Sequence, residues 1–290
     1  MNLWIKRDDL LHPLVSGNKF RKLKYPLLAL RGQQPHLVTM GGPWSNHLHA
    51  LAHAAALHGY AATALVRGHV GMHSATLDDC RQSGMQVHFV THEAYRLLRD
   101  DPLQWRQHIA QLTEQHVWLP EGGSAPEALH GVAEIVRELP LTPDIIAVAC
   151  GTGATLAGLL AGLRGQAQVI GVAAFKNAGY LHQEIARLLQ QADYPAYDNY
   201  QLLTEHHHGG YAKTSPALAR FCQQFTDETG IPLEPVYTGK MLFALSQLWF
   251  AGAIPRQARV VAIHTGGLQG ARGFTKTAGA ELAHFQKSEE

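Results

Sequence analysis

The sequence predicts an α/β protein of open, twisted, mostly parallel sheets flanked by helices, arranged as two layered units. Three observations predict it. Strand-like apolar runs alternate with helical ones along nearly the whole chain, and glycine-rich turns leave strands to open helices. No repeat, low-complexity tract or Pro/Gly linker breaks the alternation. The 290 residues suffice for one large domain or two of ordinary size.

The elements follow in order. A strand is expected at 3–5 and another at 36–40, then an alanine-rich helix at 46–58 ending at Gly59. Strand 61–66, helix 75–82 stopped by Gly84, and strand 86–90 come next. Long helical stretches are expected at 95–115 and 127–138. Strand 145–149, helix 155–163, strand 169–173 and helix 181–191 continue the alternation. Helices at 216–229 and 240–250 precede a last strand at 260–264. If the two units are domains, short crossings join them and favour a cleft between them.

Composition excludes several function classes. A hydrophobic fraction of 46% and a charged fraction of 16% are those of a compact chain rather than a disordered one. The net charge of +1 offers no basic field to nucleic acid. The N-terminus lacks the apolar core of a signal peptide and no window reaches membrane-span length, so a cytoplasmic protein without a membrane partner is expected. The three dispersed cysteines, Cys80, Cys150 and Cys222, fit a reduced compartment and have no nearby base to make a catalytic thiol. Among the 19 histidines, His49 and His53 sit one helical turn apart, but no carboxylate or cysteine completes a metal set at ligand spacing, so no metal is expected.

Residues 16–24 read Ser-Gly-Asn-Lys-Phe-Arg-Lys-Leu-Lys. The turn precedes apolar residues at helical spacing, which places Lys19 at the N-terminal edge of a helix. Backbone N–H groups there lower a lysine pKa and favour the neutral, nucleophilic amine that a Schiff base to an aldehyde requires. A solvated surface lysine fits the same pattern, so the case rests on a matching site elsewhere.

Residues 149–158, Ala-Cys-Gly-Thr-Gly-Ala-Thr-Leu-Ala-Gly, follow a strand and open a helix. Such a turn exposes successive N–H groups to an anion. It lacks the Lys-Ser/Thr of a nucleotide P-loop and the spacing of a dinucleotide fingerprint, so a single phosphate fits it better. Residues 39–49, Thr-Met-Gly-Gly-Pro-Trp-Ser-Asn-His-Leu-His, make a similar passage. Ser45 or Asn46 serves there as a plain helix N-cap, or the converging donors receive a carboxylate. Near the C-terminus, 209–212 (Gly-Gly-Tyr-Ala), 234–240 (Glu-Pro-Val-Tyr-Thr-Gly-Lys) and 263–267 (Ile-His-Thr-Gly-Gly) each set a hydroxyl residue beside a turn.

The motifs at 5–10, 16–23, 41–47, 151–155, 235–240 and 264–267, in this order over nearly the whole chain, resemble one family. It holds 1-aminocyclopropane-1-carboxylate (ACC) deaminase and D-cysteine desulfhydrase, pyridoxal-phosphate enzymes of the tryptophan synthase β-type (fold type II). The resemblance implies pyridoxal 5'-phosphate as cofactor, held in a cleft between a large domain (1–22 and 119–290) and a small one (23–118). It implies that Lys19 carries the cofactor as a Schiff base and that Asn46 bonds its phenolic oxygen. Lys22 and the turn Gly151, Thr152, Gly153, Ala154 and Thr155 would hold its phosphate, with Thr265 also at the cofactor. Ser45 would meet the substrate carboxylate or relay a proton, and Asn46, His47, Tyr211, Tyr237 and Thr238 would line the substrate side, with both tyrosines catalytic. A small amino-acid substrate and a homodimer are implied as well.

ACC deaminases of this family usually carry Glu after the second tyrosine and Leu at the position of Thr265, whereas this chain has Thr238 and Thr265. A carboxylate at the pyridine nitrogen keeps it protonated and the electron sink strong; a threonine offers only a hydrogen bond, which suffices to expel thiolate. The expectation is therefore a lyase for a small D-amino acid, with D-cysteine ahead of ACC, and a silent cofactor-binding protein as the non-enzyme alternative. His47 in place of glutamine, Ala-Lys-Thr after Tyr211, and a start several residues short of the usual lead into the first strand depart from the pattern.

Overall fold

The computed structural model describes residues 2–273. Two parallel sheets organise them, one of five strands and one of four.

The first strand, β1 (Asn2–Arg7), runs parallel to the last one described, β9 (Arg259–His264). Three further strands complete this sheet: β6 (Ile145–Cys150), β7 (Gln168–Ala173) and β8 (Tyr200–Leu203), in the order β1-β9-β6-β7-β8. The near-continuous apolar runs of β6, β7 and β9 reflect burial on both faces. On one face pack α5 (Ala128–Arg137), α6 (Ala154–Leu163) and α7 (Leu181–Gln191), around Leu129, Val132, Leu156, Leu160, Ile185 and Val148. On the other, α9 (Thr238–Phe250) brings Met241, Leu242 and Leu245 onto Ala147, Val172 and Ala262, while α8 (Pro216–Thr229) adds Phe221 and Phe225 at its rim.

The second sheet has the order β4-β3-β2-β5. Its members are β2 (His36–Gly41), β3 (Ala61–Arg67), β4 (Gln86–Val90) and the three-residue β5 (His116–Trp118). The helices α2 (Asn46–His58) and α3 (Ala75–Gln82) start at serine N-caps, Ser45 and Ser74. One expectation needs correction. The stretch 95–115 is not one helix: α4 (His92–Asp100) stops at Asp101-Pro102, and a 3-10 segment (Pro102–His108) follows. Proline removes the N–H that would continue the ladder and disfavours helical backbone just before it.

The helix α1 (Asn18–Ala29) packs Leu23 and Leu27 into the core beneath α2 and lies against α5. It is one of the links between the two sheets. In a parallel sheet every strand ends at the same edge, so the turns after β1, β6, β7 and β9 share one rim. The turns after β2 and β3 share the rim of the other sheet.

Candidate active site

Lys19 is positioned by a stitch between the two ends of the described chain. Gly17 has φ 62°, and a Cβ there would lie 1.9 Å from the Thr265 carbonyl oxygen. Only glycine allows that approach. The Asn18 N–H donates to the Thr265 carbonyl at 3.1 Å, and the Asn18 side chain donates to Thr155 Oγ1 at 3.0 Å. The first turn of α1 is thus fastened to the turn after β9 and to the start of α6.

Lys19 Nζ and Lys22 Nζ, one helical turn apart, both donate to the Gly122 carbonyl at 3.3 Å. Burial pushes the Lys19 pKa down to about 8, against the opposing pull of the Glu121 carboxylate. The Lys22 pKa falls well below its ordinary value through burial and then the Lys19 charge. Lys22 also donates to Thr152 Oγ1 at 3.4 Å, and Ser124 Oγ donates to the same oxygen. The turn that supplies the shared carbonyl has Gly122 and Gly123 at φ 69° and 67°. Ser124 and this Glu-Gly-Gly-Ser turn were not singled out in the sequence, although glycines after a strand were the available signal.

Opposite the amines, Gly153 (φ 82°) caps α6, and Thr155 is buried at its first turn. The first N–H groups of α6 have no acceptor within their helix. The structure therefore brings Lys19, Lys22, Thr152, Gly153, Ala154 and Thr155 together. Gly151 is fixed by its neighbour: a Cβ there would stand 3.3 Å from the Tyr237 ring.

On the other rim, Ser45 Oγ accepts from the Leu48 N–H at 3.3 Å, which spends an oxygen lone pair and leaves the hydroxyl proton to donate elsewhere. Asn46 Oδ1 accepts from Gln269 Nε2 at 3.1 Å, and its amide lies against Gly267 and Gly270. Asn46 is thereby held beside the turn after β9. His47 turns inward. Thr39 Oγ1 donates its only proton to the Leu119 carbonyl at 2.7 Å, so it accepts from His47 Nε2–H at 2.9 Å and fixes the neutral tautomer. Burial and the charges of Lys19 and Lys22 hold the His47 pKa well below its ordinary value. Its ring lies at Gly123 beside Lys22.

Tyr211 and Tyr237 meet edge to face, with ring centroids 6.2 Å apart. Burial raises both pKa values; the hydrogen bond between them pulls Tyr211 back down and pushes Tyr237 further up. Lys240, fully buried, donates to the Ala174 and Gly210 carbonyls at 2.9 and 2.8 Å and so holds the turn that carries Tyr211 against the end of β7. Thr238 is buried too, and its hydroxyl donates to Glu234 Oε1 at 3.1 Å. Neither Lys240 nor Glu234 was read as functional, since nothing in a local sequence separates a buried lysine or glutamate from a solvated one. Thr265 is buried with its carbonyl in the Gly17 stitch.

The two amines meet the Gly122–Gly123 turn, which abuts Thr152; Tyr237 lies at Gly151, and Asn46 at the turn after β9. Comparison with known proteins shows the family to which the chain belongs. The family profile described as pyridoxal-phosphate dependent enzyme matches residues 1–266. The chain belongs to that family. Within it, a Thermotoga maritima protein provisionally named 1-aminocyclopropane-1-carboxylate deaminase is 30% identical over 285 residues, 93% of this chain and 89% of its own. The mitochondrial bifunctional D-cysteine desulfhydrase/1-aminocyclopropane-1-carboxylate deaminase of Arabidopsis thaliana is 28% identical, over 92% of this chain and 73% of its own. A crystal structure of an ACC deaminase homologue superposes with a TM-score of 0.81 at 26% identity, covering 95% of this chain and 87% of the other. The chain is a pyridoxal-phosphate-dependent member of the ACC deaminase/D-cysteine desulfhydrase group.

The residues fit the cofactor. Two buried amines share one carbonyl, and among the described residues neither has a carboxylate within ion-pairing distance. Such a pair is costly without an anion, and the α6 terminus beside it is an anion receptor. A phosphate between Lys22 and the Thr152–Thr155 turn satisfies both.

Proposed function

We propose that the protein is a D-cysteine desulfhydrase, releasing sulfide, pyruvate and ammonia by β-elimination. The observation that carries the reading is the Lys19 amine, buried at the helix start with its pKa lowered to about 8 beside an anion-receiving turn. Pyridoxal phosphate, when bound, draws electron density away from the substrate's α-carbon.

The chain's own groups do the rest. Lys22 Nζ and the N–H groups of Thr152, Gly153, Ala154 and Thr155 hold the phosphate, Asn46 orients the ring, and Thr265 closes the cofactor's side. Ser45 and the 41–46 turn hold the substrate carboxylate. Lys19 Nζ, neutral in an appreciable fraction near its lowered pKa, accepts the α-proton. Tyr211 and Tyr237, packed edge to face, line the substrate side. Thr238 offers no ionised group, which suits expulsion of thiolate, and supports D-cysteine.

One observation favours a second reading. The Glu234 carboxylate stands directly behind Thr238 Oγ1 and supplies at one remove the acid that ring opening of ACC would call for. Side-by-side assays with D-cysteine, L-cysteine and ACC separate the readings by sulfide and α-ketobutyrate. Lys19→Ala should lower product release by roughly a thousandfold and abolish the absorbance of lysine-bound cofactor. Sulfide release at the wild-type rate by Lys19→Ala would sink the assignment.

The same reading divides the chain into a large domain (1–22 and 119–290) and a small one (23–118), meeting at the cleft. It also takes the active form to be a homodimer in the cytoplasm, in line with three free, buried cysteines. No helix among the described residues is long and apolar enough to cross a membrane.

A further inference from the structure

Arg67 ends β3 at the rim that also carries the 41–46 turn. Among the described residues it is the one arginine that is neither exposed nor ion-paired. Arg7 and Arg21 are paired with carboxylates, and the others lie on the surface. Its guanidinium sits 5.5 Å from the centre of the Tyr95 ring, whose other close cation, Arg99, is already neutralised by Glu121 at 2.7 Å. The Tyr95 hydroxyl is likewise committed to Glu121, at 2.6 Å. Arg67 Nη2 lies 3.9 Å from where a Gly42 Cβ would stand, so it borders the turn proposed to hold the substrate carboxylate. Its charge also reaches Tyr211, whose pKa burial raises and Arg67 offsets only in small part.

A half-buried guanidinium without a counter-charge is expensive unless an anion arrives to meet it. Beside the carboxylate turn, the Arg67 guanidinium has no carboxylate within ion-pairing distance among the described residues, and no phosphate-binding turn adjoins it as one adjoins Lys22. The geometry points to Arg67 as the receptor for an anionic group on the substrate's β-carbon, so that the enzyme takes amino acids whose β-substituent is, or leaves as, an anion. This rests on the β-elimination reading. In that reaction the α-C–H bond breaks with its proton passing to Lys19 Nζ. The Cβ–S bond breaks with its electron pair staying on sulfur as hydrosulfide, and a Cα=Cβ double bond forms. Water then hydrolyses the freed enamine to pyruvate and ammonia. The negative charge that grows on sulfur is what Arg67 stabilises, and guanidinium suits it because it is always charged and weakly hydrated.

The test separates binding from chemistry on the cofactor-loaded protein. Equilibrium binding of D-cysteate, which carries a sulfonate on its β-carbon, is compared with that of D-alanine, followed by the cofactor's absorbance. Wild type should prefer D-cysteate by roughly tenfold or more. Arg67→Met should lose that preference while its D-alanine affinity stays within about twofold, and Arg67→Lys should regain part of it. An unchanged preference in Arg67→Met, or a parallel loss of D-alanine affinity that makes Arg67 a holder of the α-carboxylate, would overturn the inference. If wild type releases no sulfide from D-cysteine, the elimination reading fails instead, and the D-cysteate preference still decides the role of Arg67.

Discussion

Lys240 shows how much one side chain outside the reacting atoms sets. Its ammonium is fully buried and spends two protons on the Ala174 and Gly210 carbonyls, with its pKa lowered to about 8 by burial. Replacing it by methionine keeps the apolar stem but leaves two buried carbonyls without donors. Lys240→Met should therefore lose about 2 kcal/mol of stability in urea unfolding. Because the 206–211 turn loosens, kcat should also fall while cofactor affinity holds. Lys19 was legible from its turn and from the periodic residues after it, because helix starts leave a local signature. Lys240 was not, because burial is a property of what packs around a residue, and its partners lie 66 and 30 positions away. Arg67 escaped for the same reason: an arginine at a strand end reads as a solvent cap.

At the scale of the element, Glu234 organises the start of α9. Its carboxylate accepts from the N–H groups of Val236, Tyr237 and Thr238 at 2.7, 2.9 and 2.6 Å, and from the Thr238 hydroxyl. These bonds favour the ionised form, yet burial outweighs them and raises the pKa from 4.5 to about 7. The folded protein therefore holds this proton more tightly than the unfolded chain. Its contribution is fully present below pH 4.5 and is lost as pH rises through about 7. Stability attributable to Glu234 should thus fall across that window, and Glu234→Gln should flatten the slope in urea midpoints taken at several pH values. Helices with a serine cap, such as α2, α3 and α8, were legible to the residue or nearly so. The strands missed were β5 and β8, short and mixed in polarity, which exist because a neighbouring strand is there to pair with.

For the molecule as a whole, the two sheets are tied together by an ion network at the root of α1, buried at Asp8 and Arg21 and open to solvent at Glu138. Arg21 bridges Asp8 at 3.0 Å and Glu138 at 2.5 Å, and Lys6 joins both acids at 2.8 and 2.9 Å. The network joins β1, α1 and α5. The hydrogen bonds from Arg21 hold the Glu138 carboxyl down at about 2. Arg21→Ala leaves Asp8 buried with a single partner and should cost about 3 kcal/mol, seen as a melting temperature lower by roughly 6–12 °C. Acid should act in the same direction, since Glu138 gives up its stabilisation as pH falls from 4.5 towards 2. The parallel layout was readable from alternation alone, but which strands are neighbours was not, because β1 and β9 meet from opposite ends of the chain. That meeting also fixes an order of events. During synthesis the residues around Lys19 emerge early, with the small sheet able to fold around α1 at once. Their turn, however, cannot close against Gly17 until the ribosome has delivered Thr265. The nascent protein thus carries an unfinished amine site until Thr265 has emerged, about 250 residues after Lys19, and only then becomes competent for its cofactor.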